Sequence, residues 1–307
     1  MELFTELADI SRYENIAIAL GTFDGIHAGH QQIIGQAVQL AEQSAGTSVV
    51  FTFRNHPLSI IDPERCPAFI MPEKDKVEII AAMGVDILMS IPFDTKFLQL
   101  TPDEFIQLLI RHFCPAHIVV GPNYTFGYRG QGTSETLKEA GLVYNFDVKI
   151  PQAVLVDGCL VSSTLIRQLI TDGNVQQAAK LLGRPFVMDG KVIGGDQRGR
   201  QLGYPTANLP IPAGMVIPAD GVYAVRIYTG SSWFNGLANV GVNPTFDGQT
   251  RRIEVFILNF NDDLYDKEVR ISFLSRLRGE VRFSGADALK EQIMRDIKDA
   301  QVFFTAP

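Results

Sequence analysis

What the chain lacks narrows its class first. Only three of its 307 residues are cysteine, Cys66, Cys114 and Cys159, and they stand far apart. With no CxxC pair, neither a zinc site nor a disulfide framework is expected, and free thiols fit a reducing cytosol. Basic residues are in deficit, with 27 Lys and Arg against 34 Asp and Glu and a net charge of −7. Such a chain has no electrostatic footprint for nucleic acid or an anionic membrane. The opening MELFTELADISRYEN is acidic where a signal peptide would be basic, and no apolar run approaches a membrane span. Long charge blocks, low-complexity tracts and internal repeats are missing too, which argues against disorder. A soluble cytoplasmic protein is expected. An anionic substrate must then be met by local cations, helix N-termini or a metal ion.

What is present suffices for two domains, since 46% of the residues are hydrophobic. The first half alternates short apolar runs with amphipathic stretches. Strands are expected at 15–20, 48–53, 87–91 and 117–121, and helices at 29–42, 74–83 and 102–112. This alternation predicts a parallel sheet with helices on both faces and ligands at the strands' carboxyl ends. The pattern changes at residues 182–185, so the expected domains are 1–183 and 184–307. The second half is rich in Gly and Pro, with strands expected at 222–228, 233–240, 252–258 and 269–274. A helix at 287–299 carries Leu289, Ile293 and Ile297 at helical spacing. A small antiparallel barrel closed by a C-terminal helix is expected.

Two regions of the first half carry phosphate chemistry. GTFDGIHAGH, residues 21–30, lies between a strand and a helix. Gly25 and Gly29 permit close backbone approach, and the helix N-terminus offers free N–H groups to phosphate. His27 and His30, two of only five histidines, fall on one face of the first turn. They can donate to the charge that develops on departing pyrophosphate. HxGH alone is shared by nucleotidyltransferases and class I aminoacyl-tRNA synthetases. SSTLIR, residues 162–167, opens a later helix: Ser162 or Ser163 can cap it, and Arg167 follows a turn on. Between these elements lies a loop, residues 121–132, with four glycines and three aromatics. Its position after a strand suits it to cover a planar ring, with Tyr124 and Phe126 as candidates.

The second half carries GGDQRGRQLGYPTAN, residues 194–208. Gly195, Arg198, Gly199 and Arg200 could wrap polyphosphate, or form a solvated basic turn. Thr206 and Asn208, two apart on an extended segment, share a face and offer hard oxygens to Mg²⁺. Glu254 interrupts an otherwise largely apolar strand. It is either a general base or a solvent-facing residue of the alternation.

In order, these motifs resemble the prokaryotic bifunctional riboflavin kinase/FMN adenylyltransferase family, also called FAD synthetase, over almost the whole chain. GxFDGxHxGH falls at residues 21–30, SSTxIR at 162–167 and LLGRP at 181–185. GDxRGRxLGYPTAN falls at 195–208, NxGxNPTF at 239–246, and IEV at 253–255. The resemblance implies a Rossmann-like nucleotidyltransferase domain followed by a six-stranded riboflavin-kinase barrel. It implies that His27 and His30 bind ATP phosphates within the cradle of Gly21, Phe23, Asp24, Gly25 and Gly29. Asn123, Ser163, Thr164 and Arg167 would hold the triphosphate and its metal. Thr206 and Asn208 would hold Mg²⁺, and Glu254 would be the base. Riboflavin, FMN, FAD, ATP, ADP and pyrophosphate would be the substrates and products. The chain departs from the family at Asn123, where many members carry Asp, at Gly194, where many carry His, and at Asp266, where Gly is usual.

The residue inventories suit two reactions. Riboflavin's 5′-hydroxyl is an alcohol, so its phosphorylation benefits from a base, and the kinase half offers Glu254. FMN's phosphate is already ionised and can attack the α-phosphorus of ATP without first losing a proton. That site needs alignment and charge stabilisation, and the first half supplies donors and cations. Another HxGH enzyme, a chain retaining one activity, or a non-catalytic flavin-binding regulator are the competing readings. The chain lacks a KMSKS-like loop, and its acidity is unhelpful for tRNA.

Overall fold

The computed structural model describes residues 1–194, 203–245 and 248–304, the side chains of 243–245 and 248–250 excepted. The chain divides into two compact units, Met1–Ser163 and Thr164–Pro307. The first runs β1 (Glu2–Phe4), β2 (Ala17–Leu20), α1 (Ala28–Gln43), β3 (Ser48–Phe53), α2 (Leu58–Ile61), α3 (Glu73–Ala82), β4 (Ile87–Ile91), α4 (Thr95–Gln99), α5 (Pro102–Phe113) and β5 (His117–Val119). It continues through a small hairpin, β6 (Thr125–Phe126) and β7 (Gly132–Thr133), then α6 (Ser134–Tyr144) and β8 (Asp147–Lys149). A second small hairpin, β9 (Leu155–Val156) and β10 (Cys159–Leu160), follows.

The large sheet is wholly parallel in the order β1-β4-β3-β2-β5-β8. The inner strands β2, β3 and β4 are buried on both faces, which is why they read as largely apolar runs. Ile18, Leu20, Val49 and Phe51 face Phe105, Leu109 and Phe113 of α5. Ala19 and Val50 face Ile34 and Ala37 of α1 and Ile80 of α3. The chain steps outward from β2 to β3 to β4, then returns to place β5 on the other side of β2. The order therefore reverses between β2 and β5, and a crevice opens at their carboxyl ends. The expected strands and helices lie within a few residues of those observed. β1, β8 and α6 were not expected: they are short or irregular in hydrophobic pattern, and for the edge strands β1 and β8 pairing with β4 and β5 decides.

The second unit is led by α7 (Ser163–Thr171) and α8 (Val175–Leu182). Then come β11 (Phe186–Lys191), β12 (Thr206–Pro210), β13 (Gly221–Tyr228), β14 (Trp233–Thr245), β15 (Gly248–Ile257), β16 (Glu268–Arg278) and α9 (Ala286–Phe304). The strands form one antiparallel sheet in the order β11-β16-β13-β14-β15-β12. It curls until its edges meet, among the described residues, at the bridge between Ile193 and Asn208. Ala300 and Phe304 of α9 pack on Val222, Ala224 and Leu237. Arg278 of β16 grips the buried Asp296 of α9 through Nε (3.0 Å) and Nη2 (2.8 Å). By packing, the break falls some twenty residues before the change in sequence character, because α8 lies on β11 and β16.

Candidate active sites

Beyond β2 the chain enters the loop that ends at His27, just before α1. Phe23 and Ile26 take left-handed backbone conformations, φ +48° and +36°, each costing about 1–3 kcal/mol for a non-glycine residue. Several polar ties offset that cost, each contributing about 1 kcal/mol. Thr52 Oγ1 donates to the Thr22 carbonyl (3.0 Å), and Gln31 Nε2 to that of Ile26 (2.9 Å). The Ile70 N–H donates to the Asp24 carboxylate (3.1 Å), and Ser163 Oγ to the Asp24 carbonyl (3.0 Å). Gly25 has φ +81°, and a Cβ there would press on Ile70 at 3.1 Å.

His27 is the N-cap of α1, and its Nδ1 accepts the His30 backbone N–H at 3.3 Å. That bond leaves the ring proton on Nε2, so the neutral imidazole is a donor. The His27 and His30 rings stack with centroids 3.7 Å apart, and Phe23 meets His30 edge-on at 5.3 Å. A Cβ on Gly29 would lie 3.2 Å from His27 Cε1, so a bare backbone here leaves room for the ring. Phe23 is fully buried beneath the cavity it helps to line, and the Asp24 carboxylate accepts the Ile70 N–H, so both shape the loop.

This loop lines a cavity of about 810 Å³ at the β2–β5 switch point, together with Gly21, His27, Gly29, His30, Ser162 and Ser163. Asn123 stands exposed at its rim, beside Tyr124 and Phe126, which stack 5.9 Å apart. Burial pushes the Tyr124 phenol above its usual range although part of the side chain reaches solvent. The opposite wall escaped sequence reasoning: Phe53, Phe93 and Phe97 make edge contacts at 5.0 and 5.5 Å around Phe53. Their common signal was position, since Phe53 ends β3 and the other two follow β4. Thr164 is exposed and Arg167 half-buried on α7.

In the second unit, Thr206 and Asn208 line a cavity of about 400 Å³ with Val192, Phe260, Asp262 and Tyr265. Asn208 pairs directly with Glu254 on β15, and Glu254 pairs with Asn239 on β14. Directly opposed residues share a sheet face, so a row Asn208–Glu254–Asn239 runs across three strands. Glu254 is half-buried, while Ile253 and Val255 beside it turn into the core. Asn239 was visible in the sequence as part of a motif but had no role there. Gly195, Arg198, Gly199 and Arg200 lie outside the described residues. Asp266, at φ +62° where the family usually has Gly, pairs with Lys191 at 2.9 Å and holds that lysine's pKa above its usual value.

A doubly covered parallel sheet, with a histidine-bearing glycine loop at its switch point, defines a nucleotidyltransferase-type α/β unit. It is joined in one chain to an antiparallel barrel with hydroxyl, amide and carboxylate side chains along one face. The FAD synthetase family matches residues 9–165, and the riboflavin kinase family residues 182–304. A bifunctional riboflavin kinase/FMN adenylyltransferase of Listeria monocytogenes is 37% identical, covering 94% of this chain and 93% of its own. Its Escherichia coli K12 counterpart is 34% identical, covering 99% and 98%. A solved structure described as a macrolide-efflux protein from Streptococcus pneumoniae is 34% identical with a TM-score of 0.89 over 100% of both chains. The chain belongs to the bifunctional riboflavin kinase/FMN adenylyltransferase family. It is an enzyme with both catalytic domains, adenylyltransferase first and kinase second. Among the described residues, no helix is long and apolar enough to cross a membrane.

Proposed function

We propose that the cavity at the β2–β5 switch point binds ATP and FMN for adenylyl transfer, and that the barrel face around Glu254 phosphorylates riboflavin. The observation that carries the first assignment is the meeting of two stacked histidines with an aromatic wall in one cavity. Phosphate belongs at the α1 N-terminus, and a planar ring belongs between Tyr124, Phe126 and the phenylalanines. His27 Nε2–H and His30 face the pyrophosphate as it leaves, and Gly21, Gly25 and Gly29 let the backbone approach. Asn123 and Ser163, which line the same cavity, complete the triphosphate site on this unit. No base is needed, because the attacking phosphate of FMN is already ionised.

In the barrel, Glu254 takes the proton of the ribityl hydroxyl, and Gly195, Arg198, Gly199 and Arg200 carry the polyphosphate. Thr206 and Asn208 suit Mg²⁺: their side chains offer a hydroxyl and an amide oxygen on one face of β12 and line the same cavity. Mg²⁺ bound there supplies charge neutralisation for the transferred phosphoryl group. The functional boundary falls at 183/184, between an adenylyltransferase domain 1–183 and a kinase domain 184–307. Cytoplasmic residence fits the three free cysteines and the demand for ATP.

The test is a time course of the full chain with riboflavin, ATP and Mg²⁺, the flavins being separated by chromatography. FMN followed by FAD is expected. FMN alone would remove the first assignment, and an untouched riboflavin pool the second.

A further inference from the structure

The parallel ladder between β3 and β4 ends at Phe53 opposite Ile91, with one more bond from the Arg54 N–H to the Ile91 carbonyl (2.9 Å). Past that point the β3 chain turns away toward Pro57 and α2, and its backbone no longer faces β4. The side chain of Asn55 takes over. Its Oδ1 accepts the Phe93 N–H at 2.8 Å, and its Nδ2 donates to the Phe93 carbonyl at 3.0 Å. The second Nδ2 proton goes to Ser59 Oγ on α2, also at 3.0 Å. A carboxamide has one acceptor oxygen and two N–H donors, and all are engaged. An amide reproduces the peptide pairing that a strand would have supplied, and joins it to α2.

Both partners of this clasp border the first cavity. Phe93 lines it directly, and Pro57 and Ile61 line it beside Ser59. The Phe93 ring stands at 84° to the Phe53 ring, centroids 5.0 Å apart. Phe53 is itself held through its carbonyl, which accepts from the buried Lys76 Nζ at 3.0 Å, and Lys76 pairs with Glu73 at 2.9 Å. One face of the aromatic wall is thus anchored by Lys76, and the other by Asn55.

We propose that Asn55 is a positioning residue for flavin recognition in the adenylyltransferase site: it sets the backbone of Phe93, and so the angle of the aromatic wall that receives the planar ring. The inference rests on the assignment of this cavity to FMN. The bonds of Asn55 go to Phe93 and Ser59, while the triphosphate is assigned to the α1 N-terminus, so Asn55 touches no reacting atom. Its loss therefore acts on FMN affinity and leaves both the handling of ATP and the chemical step intact.

The experiment is steady-state kinetics of the full-length Asn55→Leu enzyme, a substitution close in volume that removes all three bonds. The KM for FMN is expected to rise about tenfold, the scale of a lost buried hydrogen-bond pair, with kcat and the KM for ATP within about twofold. The retained kcat for FAD formation and KM for ATP report that the first unit is folded. In a Phe93→Ala background the Asn55→Leu effect should vanish, because the residue acts through that ring. An unchanged FMN KM, an equal rise in both KM values, or an effect that persists without Phe93 overturns the inference. If Asn55→Leu does not fold, Asn55→Asp carries the test: it keeps an acceptor for the Phe93 N–H, loses the donor, and is expected to raise the FMN KM. An unchanged value there overturns the inference equally. A wild-type chain that makes no FAD from FMN overturns the assignment of the cavity, and this inference with it.

Discussion

The backbone N–H of His30 points at Nδ1 of His27, 3.3 Å away, while the two rings stack at 3.7 Å. One bond thereby starts the helix and sets the tautomer of the ring that caps it. The relationship separates the two histidines experimentally. His30→Ala removes a donor and leaves the cap, so FAD formation should slow by roughly 10²–10³ with unchanged melting. His27→Ala should slow it comparably and also cost about 1 kcal/mol of stability, as lost N-caps do. His27→Asn should recover the stability and not the rate. Kinetics and urea unfolding of the three variants check this.

Glu254→Gln should abolish riboflavin phosphorylation and spare conversion of FMN to FAD. The substitution keeps the shape of the Asn208–Glu254–Asn239 row and removes the only member that can take a proton. Separate assays with riboflavin and with FMN decide it, and loss of both activities would contradict independent sites.

Asn208→Ala should raise the Mg²⁺ concentration needed for half-maximal kinase rate by about 10–100-fold, the range seen when support for a metal site is removed. The Mg²⁺ dependence of FAD formation should not move. A Mg²⁺ titration of each reaction reads both.

Tyr223 sits fully buried in the barrel and donates to the Ala219 carbonyl at 2.5 Å. Burial pushes its phenol from the ordinary 10.0 up to about 12, partly opposed by Arg276 and Arg251. Folding favours the protonated form. The associated stability is therefore complete below about pH 10 and lost as pH rises through about 12. Tyr223→Phe should cost about 1 kcal/mol at neutral pH for the missing hydrogen bond. It should also flatten the fall in stability between those pH values, as followed by urea unfolding.

Asp296→Ala leaves Arg278 facing an apolar helix junction with no carboxylate. Removal of one partner of a buried pair typically costs about 3–5 kcal/mol, and the urea midpoint of the barrel should drop accordingly.

Much of this was readable in the chain. Runs such as SVVFTF located the strands because burial on both faces favours apolar side chains, the buried Ser48 and Thr52 being hydrogen-bonded, and β3 begins and ends where the pattern does. The motifs singled out His27, His30, Thr206, Asn208 and Glu254 as candidates, because the proposed chemistry needs particular side chains at particular spacings. Phe23 and Asp24 lie inside the same motif, and there the tertiary structure adds what spacing does not carry: the backbone at Phe23 is left-handed, and Ile70, far along the chain, engages Asp24. The aromatic wall was missed because Phe53, Phe93 and Phe97 carry no motif and come from two separate segments.

The sequence by itself determined the two periodicities, the order of the domains and the family, and it singled out the candidate phosphate-handling residues. Each of these is a local property, written in neighbours along the chain. Only the tertiary structure decided which residues meet: the reversal of strand order that opens the cavity, the row that sets Glu254 beside Asn208 and Asn239, and the clasp of Asn55 on Phe93. Those contacts join positions tens of residues apart. Strand pairing and burial select them, and no spacing along the chain encodes them.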